Sequence, residues 1–193
     1  MPKKAVFSKE QIFQQAFILF ENEGLEVITA RNVGKALNSS PAPIYAHYTS
    51  IAELKNELIS VAKDRFLEYV KRPVTNITYL NIGIGICTFA KENKKLFSSI
   101  FLRENSFSDL IREFRDAIKV EMDKDRRFDN LSTEFKDDLF FDCWTYAHGL
   151  STLIATGFFT PSDEYIKERL MQGAATMLYK RLEDYNKSQI LSK

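Results

Sequence analysis

Glycine and proline are scarce in this chain, seven and five among 193 residues, too few for a β-sandwich or barrel that turns about every eight to twelve residues. Neither G-x-G-x-x-G nor G-x-x-x-x-G-K-[ST] occurs, so the phosphate-cradling loops of nucleotide-binding α/β folds are missing as well. The two cysteines, Cys87 and Cys143, have neither the spacing of a disulfide framework nor that of a C-x-x-C metal pair. They fit two small apolar side chains in a reducing, cytoplasmic setting. Histidine is equally rare, with His47 and His148 far apart along the chain. With no nucleophile beside a base, no paired carboxylates and no metal cluster, the sequence argues against an enzyme and gives no reason to expect a cofactor. Cys143 and His148 are five residues apart, would point to different helix faces, and so form no metal site.

An excess of charge is lacking too, the formal net charge being +1. Residues 1–72 carry ten Lys/Arg against eight Asp/Glu, and residues 73–193 carry seventeen against eighteen. Such a balance disfavours a nonspecific nucleic-acid coat but leaves room for specific contact through a few well-placed cations. The stretch 139–159 is apolar, yet Asp142, Trp144, Tyr146, His148 and two glycines interrupt it, so it reads as a buried helix and not a membrane span. Met1-Pro-Lys-Lys leads into a polar helix start instead of the apolar run of a signal peptide, which again favours the cytoplasm.

What is present is helical periodicity and, at 45% hydrophobic residues, enough apolar material for a core. Ile12, Phe13, Ala16, Phe17 and Phe20 recur at helical spacing behind a Ser8/Gln11 capping box, and Gly24 is expected to close that helix in a left-handed conformation. Thr29 is the expected N-cap of a short helix over 30–37, ended by Asn38 at positive φ. Ser40 is expected to cap the next helix, 40–48, with Pro41 in its first position. Pro43 disfavours the α region at Ala42, which moves the expected regular start nearer Ile44. Ser50 and Glu53 predict a second capping box, opening an amphipathic helix along Leu54, Leu58, Ala62, Phe66 and Val70 that stops before Pro73. Further helices are expected at 76–93, 94–104, 107–126, 133–157 and 163–187. The fold class is therefore all-α, with about nine helices. Residues 1–50 would form a small N-terminal domain, 51–72 a connecting helix and 73–193 a larger C-terminal domain.

The pair 29–37 and 40–48 has the form of a helix-turn-helix, whose first helix braces the second in the major groove of DNA. Gly34 is small where the helices must cross, and Val33, Leu37, Ile44 and Tyr48 would seal the pair against the first helix. A plain helical hairpin would show the same pattern. More telling is the ordered set Ile12-Phe13 through Phe20, Glu23-Gly24, Thr29, Val33-Gly34-Lys35-Ala36, Ile44-Tyr45-Ala46-His47-Tyr48 and Ser50-x-x-Glu53-Leu54. Over residues 8–58 this resembles the N-terminal domain of the tetracycline-repressor (TetR) family of bacterial regulators. Asn38 and Ser39 depart from the glycine and the hydrophobic residue common there. Ile51 replaces a lysine, removing a phosphate contact that Lys55, one turn later, can supply.

That resemblance implies a ligand-responsive DNA-binding regulator: a homodimeric repressor on a palindromic operator of double-stranded DNA, released by a small hydrophobic molecule. Thr29 and Ser50 would hold phosphate oxygens, and Tyr45 and His47 would touch phosphate, sugar or a base edge. The alternatives are a core aromatic for Tyr45 and a solvated ring for His47. Tyr48 counts among the DNA-side residues as well as in the seal. Base reading would fall to Ser39, Ser40, Ala42 and Ala46 with Pro41 and Pro43, a surface without the arginine that reads guanine, so an A·T-leaning operator core is expected. Arg31, Lys35 and the arm Lys3-Lys4 are backbone clamps or solvated charges. The missing lysine and the two prolines also leave open a helical protein-interaction module without DNA binding.

In the C-terminal region Ile166, Leu170, Gly173, Ala174, Met177, Leu178 and Leu182 form an apolar stripe whose small members permit close helix approach. Ile166, Leu170, Ala174, Met177 and Leu178 are the expected dimer interface, and the resemblance likewise gives this role to the last two helices. Trp144-x-x-x-His148-Gly149 resembles a signature of one branch of these regulators, with His148 facing either a ligand chamber or a hydrogen bond in the core. Tyr79, Phe89, Phe97, Phe101, Phe107, Phe114 and Phe140 supply many aromatics. A chamber for an apolar ligand, lined by Phe89, Phe101, Phe114, Trp144 and His148, is the functional reading; ordinary packing is the alternative for each.

Overall fold

A computed structural model describes residues 7–103 and 131–191, with 115–116, 119–120, 123–124, 126 and 129 between them, and side chains as far as Lys187. Among these residues there are eight α-helices and no strand. In order they are α1 (Lys9–Glu23), a 3₁₀ turn (Leu25–Val27), α2 (Ala30–Ala36), α3 (Ala42–Tyr45), α4 (Ile51–Val70), α5 (Thr78–Glu92), α6 (Lys94–Phe101), α7 (Thr133–Ala155) and α8 (Asp163–Leu191). The all-α expectation holds, and helix ends after residue 75 move by four residues at most. The helix expected over 107–126 falls mostly outside the described residues.

Local side-chain chemistry sets the first elements. Ser8 Oγ accepts the Gln11 N–H at 3.1 Å while Gln11 Oε1 accepts the Ser8 N–H at 2.9 Å, closing the capping box. Gly24 ends α1 at φ 95°, but its ψ of 178° is extended, so the chain leaves the helix straight into the 3₁₀ turn. Thr29 Oγ1 accepts the Asn32 N–H at 3.1 Å, and Asn38 turns the chain at φ 50°. A Cβ on Gly34 would stand 3.0 Å from the Ser40 carbonyl, which is why α2 and the start of α3 meet at a glycine.

Two expectations fail in this stretch. α3 begins at Ala42 despite the following proline; Pro43 sits in the first turn, where its missing N–H has no helical partner to lose, and Pro41, not Ser40, holds the cap position. The Ser50/Glu53 box is also only half formed. Ser50 Oγ accepts the Glu53 N–H at 3.2 Å, but the Glu53 carboxylate turns to Thr49, whose N–H and hydroxyl both donate to it at 2.7 Å. Two donors from Thr49 outbid the single backbone N–H of Ser50.

Tertiary packing then joins the ends of the chain. Ile12, Ala16, Phe20, Val33, Ile44, Tyr48, Leu54 and Leu58 are buried together, and the same core continues through Ala62, Phe66, Phe89, Phe97, Ile154 and Leu170. The expected boundary between residues 72 and 73 is thus bridged by one apolar interior. The connector itself is tied down, with the Thr75 N–H and hydroxyl both donating to Asn81 Oδ1 at 2.7 Å. α5 is buried around most of its circumference because α4, α7 and α8 all pack on it. Gly85 lets it press on α4, where a Cβ would fall 2.3 Å from the Tyr69 carbonyl oxygen. α6 reaches back to the first helices: the Leu25 N–H donates to the buried Ser99 hydroxyl at 3.3 Å. Among the described residues no helix is long and apolar enough to cross a membrane.

Candidate functional site

α2, its turn and α3 present a small polar surface. Thr29, Arg31, Lys35, Ser40, Ala42, Ala46, His47 and Ser50 are exposed, and Ser39 and Lys55 are half-buried. Tyr45 is 56% exposed, which removes the core-aromatic alternative. His47 is not merely solvated: its Nε2 lies 2.8 Å from the Phe7 carbonyl oxygen, tying the end of α3 to the chain ahead of α1. Tyr48 is a correction. At 1% exposure it belongs wholly to the seal beneath α3 and not to the solvent side, because the step of four residues from Ile44 puts both on the inner face.

The hydroxyls of Thr29 and Ser50 accept cap bonds from backbone N–H groups, which leaves their own hydrogens to donate outward. Arg31, Lys35 and Lys55 enter no ion pair among the described residues, whereas Lys9 is held by Glu57 at 2.9 Å. The surface therefore offers three cations and several hydroxyl donors without competing carboxylates bound to them. Lys3 and Lys4 lie outside the described residues.

In the C-terminal region four of the expected lining residues come together as packed aromatics, with Phe101 6.0 Å from Trp144. Trp144 and His148 stack at 5.6 Å with planes 14° apart, and Phe97 and Phe101 flank His148 at 5.6 Å each. Burial lowers the His148 pKa, so the ring is neutral at pH 7. Phe89 and Phe101 pack on Phe66 at 5.3 and 5.0 Å and are fully buried, which is ordinary core packing. Phe114 lies outside the described residues. A half-open apolar crevice lies between α5, α7 and α8, lined by residues including Tyr79, Ile82, Phe140, Cys143, Trp144 and Met177. Its volume is about 30 Å³, the room of one small group, so a drug-sized ligand needs about ten times that and the helices must part.

The expected dimer residues divide into two buried and three half-buried ones. Ile166 and Leu170 are 1% and 4% exposed within the single chain, Leu170 resting on Gly83 of α5. Ala174 and Met177 face the apolar space, and Leu178 packs on Phe135 and Leu139. Gly173 serves the chain's own packing, since a Cβ there would strike the Tyr146 ring at 2.7 Å. α5 covers the Ile166 and Leu170 end of this stripe, while Ala174, Met177 and Leu178 stay half-buried.

Sequence reasoning missed a different apolar face. Phe141 is 67% exposed, Leu153 42% and Phe158 78%, with Thr145 and Gly149 at the intervening four-residue steps of α7 and Tyr165 exposed beside them on α8. A Cβ on Gly149 would meet nothing within 4 Å. The four-residue period was readable, but almost every position of 139–159 is apolar or small, so periodicity could not say which side α5 covers. No group of three His, Cys, Asp or Glu side chains suited to a metal occurs among the described residues. Comparison with family models, with curated proteins and with solved structures finds no match for this chain.

Proposed function

We propose that the protein is a ligand-responsive DNA-binding transcriptional regulator of TetR type, a repressor acting as a homodimer on a palindromic operator and released by a small hydrophobic molecule. The observation that carries this reading is the turn between α2 and α3. Gly34 and Asn38 hold two short helices close, and the outer surface they create has exposed Tyr45, His47, Thr29 and Ser50 together with the unpaired cations Arg31, Lys35 and Lys55. Hydroxyls, a phenol and cations on a rigid helical corner suit phosphate positioning, while the small Ser40, Ala42 and Ala46 suit contact with thymine methyls. For the dimer, the exposed Phe141, Leu153, Phe158 and Tyr165 add to the half-buried Ala174, Met177 and Leu178, while Ile166 and Leu170 are covered within the chain. Apolar side chains of that size left in water favour a self-complementary contact. The apolar space between α5, α7 and α8 suits an uncharged ligand that opens it, provided the ligand prefers the conformation in which the two recognition surfaces are wrongly spaced.

Selection of bound duplexes from a random library tests the reading directly. A palindrome with half-sites about 34–36 Å apart is expected. Three cations per subunit imply about six phosphate contacts per dimer, hence a slope of log K against log salt of about −5. Tyr45→Ala should weaken all sequences alike and leave the fold intact. The short α3, with Pro41 at its cap and Pro43 in its first turn, favours one other reading, a helical interaction module; failure to enrich any duplex, with the protein folded and dimeric, would overturn the DNA-binding reading in its favour.

A further inference from the structure

The chain around the start of α1 is fastened to the end of α3 at two points. His47 Nε2 lies 2.8 Å from the Phe7 carbonyl oxygen, and the Lys9 ammonium sits 5.0 Å from the centre of the Tyr48 ring while pairing with Glu57 at 2.9 Å. Phe7 also packs its half-buried ring on the core. We propose that His47 is a positioning residue, which fixes where the basic N-terminal segment leaves the fold so that Lys3 and Lys4 neutralise DNA phosphates beside the recognition surface. This deepens the DNA-binding reading and rests on it.

The hydrogen bond itself separates His47 from a direct phosphate ligand. A carbonyl oxygen only accepts, so Nε2 carries the hydrogen and donates it to Phe7. In the neutral ring the other nitrogen, Nδ1, is then an acceptor and has nothing to give a phosphate oxygen. α3 is four residues long and has no side-chain cap bond, so its end is held by contacts from outside the helix. His47 supplies one of them from an exposed position at the edge of the surface that carries Tyr45 and Ser50.

The segment held by this anchor has the charge for the task. Lys3 and Lys4 stand four and three residues ahead of Phe7, and no acidic residue precedes Glu10. The length of the chain limits their Cα atoms to about 14 and 11 Å from Phe7, so both charges stay within reach of the same stretch of backbone as Tyr45 and Ser50. Lys9 cannot take this role, because Glu57 already neutralises it. A fixed exit point spares part of the backbone ordering that a loose basic segment loses on binding.

The experiment measures the affinity of the full chain for the duplex recovered by selection, as a function of salt. The three cations of the corner imply a slope of about −5; two further lysines per subunit add four phosphate contacts per dimer and take it to about −9. Lys3→Gln together with Lys4→Gln should return the slope to about −5 with helical circular dichroism unchanged. His47→Ala should weaken binding at least about tenfold in the native chain, but less than about twofold once both lysines are replaced. His47→Gln, whose amide can still donate to the Phe7 carbonyl, should keep most of the affinity. A native slope near −5, equal losses in His47→Ala and His47→Gln, or a His47→Ala loss of the same size in both backgrounds would overturn the assignment and leave DNA binding standing. Absence of any bound duplex would overturn both.

Discussion

The α1–α3 unit and the α7–α8 pair hold their helices by opposite means. In the first, helices of four to fifteen residues are placed by short-range devices: a capping box at Ser8, a hydroxyl cap at Thr29, a left-handed Asn38 and a glycine where α2 meets α3. In the second, helices of 23 and 29 residues are placed by what packs on them, chiefly α5. The first unit hides most of its large apolar groups under a polar corner, with Ile18 and Tyr45 the exceptions. The second leaves Phe141, Leu153 and Phe158 in solvent after its core is filled. Short-range placement leaves a defined outer face, whereas placement by packing distributes apolar surface to both sides of a helix.

The strongest way to break this contrast is to cut into the core that runs through both regions. Phe66 of α4 is wholly buried between Phe89 and Phe101. Phe66→Ala should cost about 3–5 kcal/mol by chemical denaturation, with a single unfolding transition if the continuous core makes both regions one unit; two transitions would separate them. Gly34→Val acts on the first region alone. Its branched side chain meets the Ser40 backbone, so a loss of about 1–3 kcal/mol is expected, together with loss of duplex binding while α7 and α8 keep their oligomeric state by sedimentation.

A third substitution sharpens the second region. Phe141→Glu lies on the exposed face and should change protomer stability by less than about 0.5 kcal/mol, yet yield monomers in sedimentation. Leu178→Glu should instead destabilise the fold, because Leu178 packs on Phe135 and Leu139. The smallest effect concerns His148. Its folded pKa lies below the ordinary value of about 6.5, so the unfolded chain takes up a proton that the native ring resists. Stability should therefore be lost as pH falls below about 6.5, and continue to fall until the folded ring titrates. The melting temperature of the native protein should drop relative to that of His148→Phe between pH 7 and pH 5, and parallel curves would show that the ring does not titrate differently on folding.

Much of the candidate recognition surface was readable in advance, and the misses have physical causes. Thr29, Asn38 and Gly34 do what their chemistry suggests because a cap, a positive φ and a missing Cβ act over a few residues. Pro43 misled because its effect on Ala42 is weighed against helix formation through Tyr45, and at the first turn it forfeits no hydrogen bond. Tyr48 was assigned to two faces at once, and only burial separated them. Ile166 and Leu170 were correctly seen as apolar and buried, but the side that buries them is α5 of the same chain.

Residue order alone was thus enough for the helical class, the short helices with their turn, and the polar corner they form, since backbone preference and capping are local. Which apolar stripe becomes core, which aromatic stays in water, and that Cys143 meets Met177 across two helices depended on the packing of α5, α7 and α8. Hydrophobicity specifies that a face is to be covered; the identity of the covering element is a long-range property of the assembled chain.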